Sequence, residues 1–187
     1  MPIDWRPPTL ATKRLILRAL SVDDVEAVFA YASNPAVTRF TLWDAHRSRE
    51  DTLEFVRDYA LSRYLEKLPD PFAICLKYEP ATVIGTLGCF WCTRLNRTME
   101  LGYALGEPHW GKGIVVEACR ALLDHAFAGY DVERIQARCM VENSASIRVL
   151  QKLGMTFEGC LRSSLFHRER FWDMNLFSML RREWVHG

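Results

Sequence analysis

No run of the 187-residue sequence approaches the ~18 consecutive apolar residues of a membrane-spanning helix. The longest apolar stretch, Ala81 to Cys92, is broken by two glycines and two threonines. Charge of one sign is also missing: 24 Lys and Arg stand against 23 Asp and Glu, a formal net charge of +1. That excludes the strong basic excess of a dedicated nucleic-acid binder. The N-terminus lacks a basic region followed by an apolar one, so it does not read as a secretory signal. The six cysteines (75, 89, 92, 119, 139 and 160) lie inside apolar segments rather than in loops, which predicts buried, reduced thiols and a cytoplasmic protein. Cys89 and Cys92 have C-x-x-C spacing, but on a strand residues three apart face opposite sides, so the pair predicts no metal site.

What is present is one steady alternation of strand and helix patterns. Leu15, Leu17 and Ala19 fall on one face of a first strand. Ser21 opens a helix through Val25, Val28, Phe29 and Ala32, which stops before Asn34-Pro35. Ser48 opens a second, with Leu53, Val56, Tyr59, Ala60 and Tyr64 on one stripe and Pro69-Asp70-Pro71 as its stop. Phe72–Tyr78, Val83–Trp91 and Thr98–Leu105 predict an antiparallel meander. A helix through Val115, Ala118, Leu122 and Ala126 closed by Gly129, a strand at Arg134–Val141, and a helix from about Ser144 to a Gly154 cap follow. Strands at Thr156–Leu161 and Phe171–Leu180 flank a polar loop around residues 162–170. The expected fold is α+β, in the order β-α-α-β-β-β-α-β-α-β-β: a mostly antiparallel seven-stranded sheet with helices on both faces. No repeat or composition break divides it, so residues 1–187 are expected to form one domain, with 1–10 as an extended arm.

The segment richest in chemistry runs from Glu100 to Glu117. A strand enters a loop carrying Gly111-Lys112-Gly113, and the loop opens directly into a helix. A helix start leaves amides unbonded and carries partial positive charge, and glycines let that backbone approach a phosphate. Such a loop is either an anion site or a tight turn. The spacing fits neither a Walker loop nor a dinucleotide fingerprint, since Ile114 and Val116 stand where those motifs need Ser/Thr and Gly.

Five blocks in order give the chain a resemblance to the GNAT superfamily of acetyl-CoA-dependent N-acetyltransferases. It looks most like the RimJ/RimL kind, which acetylates the N-termini of ribosomal proteins. The blocks are Thr12-Lys-Arg-Leu-Ile-Leu-Arg18; Glu100-Leu-Gly-Tyr-Ala-Leu105 with Trp110-Gly-Lys-Gly113; Arg134-Ile-Gln-Ala-Arg138; Glu142-Asn-Ser-Ala-Ser-Ile-Arg-Val-Leu-Gln-Lys-Leu-Gly-Met155 with Phe157-Glu-Gly159; and Trp172-Asp173. The resemblance implies a sheet splayed between the strand ending at Leu105 and the strand at Arg134, with pantetheine in the gap. It also implies pyrophosphate held by backbone amides of His109, Trp110, Gly111, Lys112, Gly113 and Ile114, and pantetheine amides paired with Tyr103, Ala104 and Leu105. Asn143 matches a residue that bonds the cofactor arm; as a residue type it equally suits a helix N-cap. Pro108 stands where many relatives carry Gln or Arg.

Transfer to an amine needs a base, an oxyanion donor and a partner for the departing thiolate. Glu100 is the expected base or, on a plainer reading, a strand-end charge; His109 and His167 are alternatives. A backbone N–H near Leu105 is the expected oxyanion donor. The tyrosine of many relatives is replaced by Leu150, which leaves Ser146 as thiolate partner or helix cap. A glutamate that some relatives carry after Phe-Glu-Gly corresponds to Leu165 here. The implied activity is acetyl transfer from acetyl-CoA, without metal, to a primary amine: a protein N-terminal α-amine or, alternatively, a small amine such as an amino sugar, amino acid or polyamine. A non-catalytic CoA-binding module is the reading from another class. Neither membrane nor nucleic acid is an expected partner, and a homodimer is left open.

Overall fold

The computed structural model describes residues 5–184. Eight strands form one sheet in the order β1-β2-β3-β4-β5-β6-β8-β7. They are β1 (Leu10–Ala11), β2 (Leu15–Ala19), β3 (Phe72–Leu76), β4 (Glu79–Thr93), β5 (Thr98–Leu105), β6 (Arg134–Met140), β7 (Thr156–His167) and β8 (Arg170–Leu180). The helices are α1 (Val25–Ala32), α2 (Pro35–Thr38), α3 (Arg49–Glu54), α4 (Leu61–Leu65), α5 (Ile114–Gly129) and α6 (Ser144–Lys152). The α+β class with helices on both faces is as expected, and the strand count is one higher. The extra strand is β1, the last residue of the expected arm and the one after it, which pair with Leu17 and Ile16 of β2. A pair that short leaves no periodicity to read.

Two cores sit on opposite faces of the sheet. Leu15, Leu17, Leu87, Met99, Leu101 and Ile135 pack under α5 and α6. Leu20, Ala73, Cys75 and Val83 pack against Val28, Ala32 and Ala60 from the helices of the other face. Cys89 is buried and Cys92 exposed, as strand alternation requires, and Cys160 is exposed too, so the expectation of six buried thiols holds for four. Among the described residues no helix is long and apolar enough to cross a membrane.

Both early helices start as their caps dictate. Asp24 closes a capping box with Ser21 and receives Arg18 through bonds of 2.8 and 2.7 Å. Ser48 and Asp51 form a second box. The expected single helix after Ser48 is interrupted by a π-helical stretch, Phe55–Ala60, before α4. This wider turn stacks the rings of Phe55 and Tyr59, 5.6 Å apart. Tyr64 is buried and donates to Pro71 O at 2.5 Å while accepting from Leu20 N at 2.9 Å. π-turns inside helices often mark functional sites.

The expected polar loop at 162–170 is instead a long hairpin. Strands β7 and β8 pair out to His167↔Arg170 across a bulge between Leu161 and Leu165, with Arg168 and Glu169 both at positive φ in the turn. The residues are polar because the ribbon runs beyond the core, not because pairing ends. At its inner end Glu158 accepts 2.6 and 2.5 Å bonds from Arg134 and a 2.7 Å bond from Ser178. The Arg134 bonds hold the Glu158 carboxyl down, from 4.5 to about 2. A depressed carboxylate contributes stability that is complete above its ordinary pKa and lost as pH falls through the folded value. Glu158→Gln is therefore expected to melt below the wild type at pH 7. The gap should close between about pH 4.5 and pH 2. Thermal melts across that range test it, and a constant gap would assign the effect to packing.

Candidate active site

The sheet opens at its centre. Strand β5 pairs with β4 antiparallel along Thr98–Leu105, but its parallel pairing with β6 covers only Thr98↔Arg134, Met99↔Ile135 and Glu100↔Gln136. Beyond Glu100 the two strands diverge, and β6 continues on β8 alone up to Met140↔Met174. A parallel neighbour needs a crossover, here α5, so the junction joins two antiparallel halves. A cavity of about 1250 Å³ passes through this junction.

One mouth is built by the loop before α5. Gly111 and Gly113 both have φ of 73°, a left-handed geometry that glycine adopts without strain. Gly113 is the N-cap of the 16-residue α5, so unbonded amides face this mouth. The loop is strapped to β2: Arg14 donates to Lys112 O at 3.0 Å, and Glu117 accepts from Thr12 Oγ1, Arg14 N and Arg14 Nε at 2.5, 2.8 and 2.6 Å. Trp110 Nε1 ties it to Leu105 O at 2.7 Å. His109 lies beside it, its imidazole pKa lowered by burial and by the Lys112 charge. Lys112 turns its amine to Pro108 O at 2.8 Å, while Glu100 and the other residues expected to hold the cofactor line the cavity. These are the features a phosphorylated donor with an extended arm requires: a glycine-bounded helix start at the entrance and an unpaired strand edge leading inward.

In the gap, Asn143 Oδ1 accepts from Ser146 N at 3.0 Å and caps α6. Its amide nitrogen has no partner among the described residues, so the cap leaves the donor end free. Ser146 Oγ lies 2.6 Å from Tyr103 Oη, a contact that spans the opening. Burial lifts the Tyr103 phenol well above its ordinary pKa, against the pull of the Ser146 hydrogen bond. The ring therefore keeps its proton and can donate to Ser146.

The other mouth is aromatic and acidic. Phe40, Trp43, Phe55, Tyr59 and Phe90 line it together with Glu54, Asp58 and Asp70. Its rim is residues 38–44, held across the cavity by Arg168 from the tip of the β7–β8 hairpin. That guanidinium donates to Asp44 Oδ1, Arg39 O, Thr38 O and Trp43 O at 2.9 to 3.2 Å. His167 belongs to the hairpin end, and its carbonyl accepts from Trp172 Nε1. Leu165 reaches the cavity wall but brings no titratable group.

Glu100 also lies on this side, 7% exposed. Its carboxylate accepts from Arg138 Nε at 3.1 Å to each oxygen and from Gln136 Nε2 at 3.0 Å, with Cys92 Sγ at 3.6 Å. It seals the last paired rung of β5–β6 with its acceptor sites taken. Sequence reasoning gave Asp70 and Tyr59 no chemical role, and it read Arg168, whose partners lie on a distant segment, as part of a polar loop. Among the described residues no group of three His, Cys, Asp or Glu could hold a metal ion.

A passage through a sheet, with a helix start at one end and carboxylates at the other, suits group transfer between two substrates that arrive from opposite faces, one phosphorylated and one cationic. The comparisons specify that class. Residues 14–156 match the Acetyltransferase (GNAT) domain, and the chain belongs to that family. It is 36% identical over 181 residues to the uncharacterised N-acetyltransferase p20 of Bacillus licheniformis, covering 95% of this chain and 98% of that one. It is 34% identical over 103 residues to the ribosomal-protein-serine acetyltransferase of Escherichia coli, covering 55% and 58%. Among solved structures, a GNAT-family acetyltransferase from Bacillus anthracis superposes with a TM-score of 0.84 at 27% identity, over 94% of this chain and all of that one. RimL, a ribosomal L7/L12 α-N-protein acetyltransferase in complex with coenzyme A, shares the fold with a TM-score of 0.82 at 23% identity, over 92% and 98%. The protein is an acetyl-CoA-dependent N-acetyltransferase.

Proposed function

We propose that the acceptor is a protein N-terminal α-amine and that acetyl passes to it directly, with both substrates bound. The observation that carries this reading is the through-passage: donor and acceptor sides meet at Tyr103–Leu105, so no acetylated residue of the chain is needed between them. The similarity to the E. coli ribosomal-protein-serine acetyltransferase supports a protein acceptor. A compact primary amine is the second reading, favoured by the way Arg168 holds residues 38–44 over the acceptor mouth.

In this reading acetyl-CoA supplies an activated acyl group, and the chain's residues orient and neutralise. The α5 amides behind Gly113 hold the pyrophosphate, the unpaired edge of β5 aligns the arm, and the Asn143 amide bonds it. A backbone N–H near Leu105 meets the charge that develops on the carbonyl oxygen, where the loss of one donor costs ~10²–10³ in rate. Glu100, tied to Arg138 and Gln136, is a positioning residue that fixes where the strands part. Ser146, fed a proton by Tyr103, faces the departing sulfur.

The reading is tested by thiol release from acetyl-CoA with a pentapeptide bearing a free N-terminus and with its N-blocked twin. Turnover on the first alone is expected; turnover on small amines but on neither peptide would establish the second reading. Ser146→Ala and Tyr103→Phe are each expected to lower kcat about tenfold, the scale of one hydrogen bond to a charged group. The double variant should fall no further than Ser146→Ala, because both act on one proton path. Additive losses would separate them.

A further inference from the structure

We propose that Asp70, on the wall of the acceptor mouth, is the carboxylate that binds the acceptor's ammonium group and takes its proton. The proposal rests on the acetyltransferase reading and adds a residue to it.

Asp70 follows α4 and precedes β3, yet its side chain lies on β4. Gly88 is the reason: a Cβ there would sit 2.0 Å from Asp70 Oδ1 and 2.8 Å from its Cα. Gly88 is paired across the sheet with Gly102 of β5, where an added Cβ would meet nothing within 4 Å. Cross-strand neighbours hold their Cβ positions about 4.5–5.5 Å apart. One glycine of the pair therefore admits the carboxylate, and the other leaves an empty space next to it. That space adjoins Tyr103, at the start of the strand edge where the donor's reactive end is expected.

Asp70 is 5% exposed, and its two oxygens differ. Oδ2 accepts from Tyr59 Oη at 2.8 Å and lies 3.6 Å from Arg63 Nε. Oδ1 has no donor among the described residues and faces the cavity. Burial pushes the carboxyl pKa up, while the Tyr59 bond and the Arg63 charge oppose that rise. Tyr64 behind it, Cys89 on the far face of β4, Glu54 and Asp58 on the same mouth, and the Glu100–Arg138 pair along the floor are other titratable and charged groups around it. Glu100 has its acceptor sites filled, and Leu165 opposite carries none. Oδ1 of Asp70 is thus a buried acceptor next to an open space, within walls formed by Phe55, Tyr59 and Phe90.

The proton balance is simple. An ammonium N–H transfers its proton to Oδ1, leaving a neutral amine and a carboxylic acid. The nitrogen lone pair then forms the N–C bond to the thioester carbonyl, the C–S bond breaks with its electron pair on sulfur, and the second nitrogen proton replaces the one that Tyr103 and Ser146 pass to that sulfur. Asp70 returns its proton to solvent, so the net release is one proton per amide formed.

The test uses the full-length protein in complex with CoA, with n-butylamine as probe and n-butanol as its uncharged control. The Asp70 side-chain carboxyl resonance is followed by carbon NMR. The amine is expected to shift that resonance and lower its titration midpoint, and the alcohol to do neither. Asp70→Asn should bind n-butylamine at least tenfold more weakly and lose ~10²–10⁴ in kcat/KM, the scale of one general base. Acetyl-CoA affinity should stay within threefold. An unmoved resonance, or turnover in Asp70→Asn within threefold of wild type, overturns the proposal. If that variant does not fold, Tyr59→Phe decides: losing the O–H must move the Asp70 midpoint to higher pH, and an unmoved midpoint overturns the proposal. A resonance that responds to the amine in an enzyme that acetylates none would leave the amine site standing and remove the acetyl-transfer reading instead.

Discussion

Valine in place of Gly113 is expected to weaken acetyl-CoA binding by at least ~30-fold while the protein stays folded. In the free protein a Cβ at this position meets only Arg14 Nη2, at 3.7 Å, so crowding is not the cause. The cause is φ of 73° at the N-cap of α5. Left-handed geometry costs an L-residue roughly 1–2 kcal/mol, and a β-branched one is a true outlier there. The loop will relax out of that geometry and turn the first amides of α5 away from the entrance. Binding must then reverse the relaxation, and 2 kcal/mol is about a 30-fold loss. The valine methyls add to this by standing in front of the helix start. Calorimetric titration with CoA measures it, and Gly113→Ala should fall between valine and wild type. Affinity within threefold of wild type would mean that the helix start is not where the pyrophosphate is held.

The loop and helix start of the proposed donor side were legible because their signals are local. Gly111-Lys112-Gly113 before an amphipathic helix fixes both turn and helix start within a few residues, and the strand Thr98–Leu105 emerged with the bounds expected. The acceptor side was not, because it is assembled from distant segments. Pro69-Asp70-Pro71 reads as a helix stop, which it is. Nothing near it announces that the carboxylate will lie on Gly88, a glycine buried in an unremarkable strand pattern. Arg168 fell within a stretch read as a polar loop, yet its partners at residues 38–44 lie some 125 positions earlier. Glu100 was placed on the correct strand, and its capture by Arg138 is a cross-strand fact. Periodicity reports which face a residue takes. It cannot report which oxygen of a carboxylate remains unpartnered.

The glycine pair on the floor of the sheet should separate stability from catalysis in opposite directions. Gly88→Ala drives a Cβ to within 2.0 Å of Asp70 Oδ1 and 2.8 Å of its Cα, so backbone must move as well as side chain. That backbone is held by Cys89 N bonded to Pro69 O at 3.1 Å, and the side chain by Tyr59 Oη. Overpacking a close-fitted core costs about 1–3 kcal/mol. At about 2–4 °C per kcal/mol for a chain of this size, the upper end corresponds to a Tm roughly 10 °C lower. Gly102→Val carries no such penalty, since a Cβ there meets nothing within 4 Å, and a β-branched residue suits a strand. Its Tm should hold within about 2 °C of wild type, on the same scale. Its methyls nevertheless fill the space beside Asp70 where the amine nitrogen must approach the thioester. A displacement of about 1 Å there costs on the order of 10²-fold in rate. Melting curves and kcat/KM for the acceptor, measured on both variants, test the pair. Full activity in Gly102→Val would move the acceptor away from this face of the sheet. An unchanged Tm in Gly88→Ala would show that the segment carrying Asp70 yields freely, which a carboxylate fixed to receive a proton cannot do.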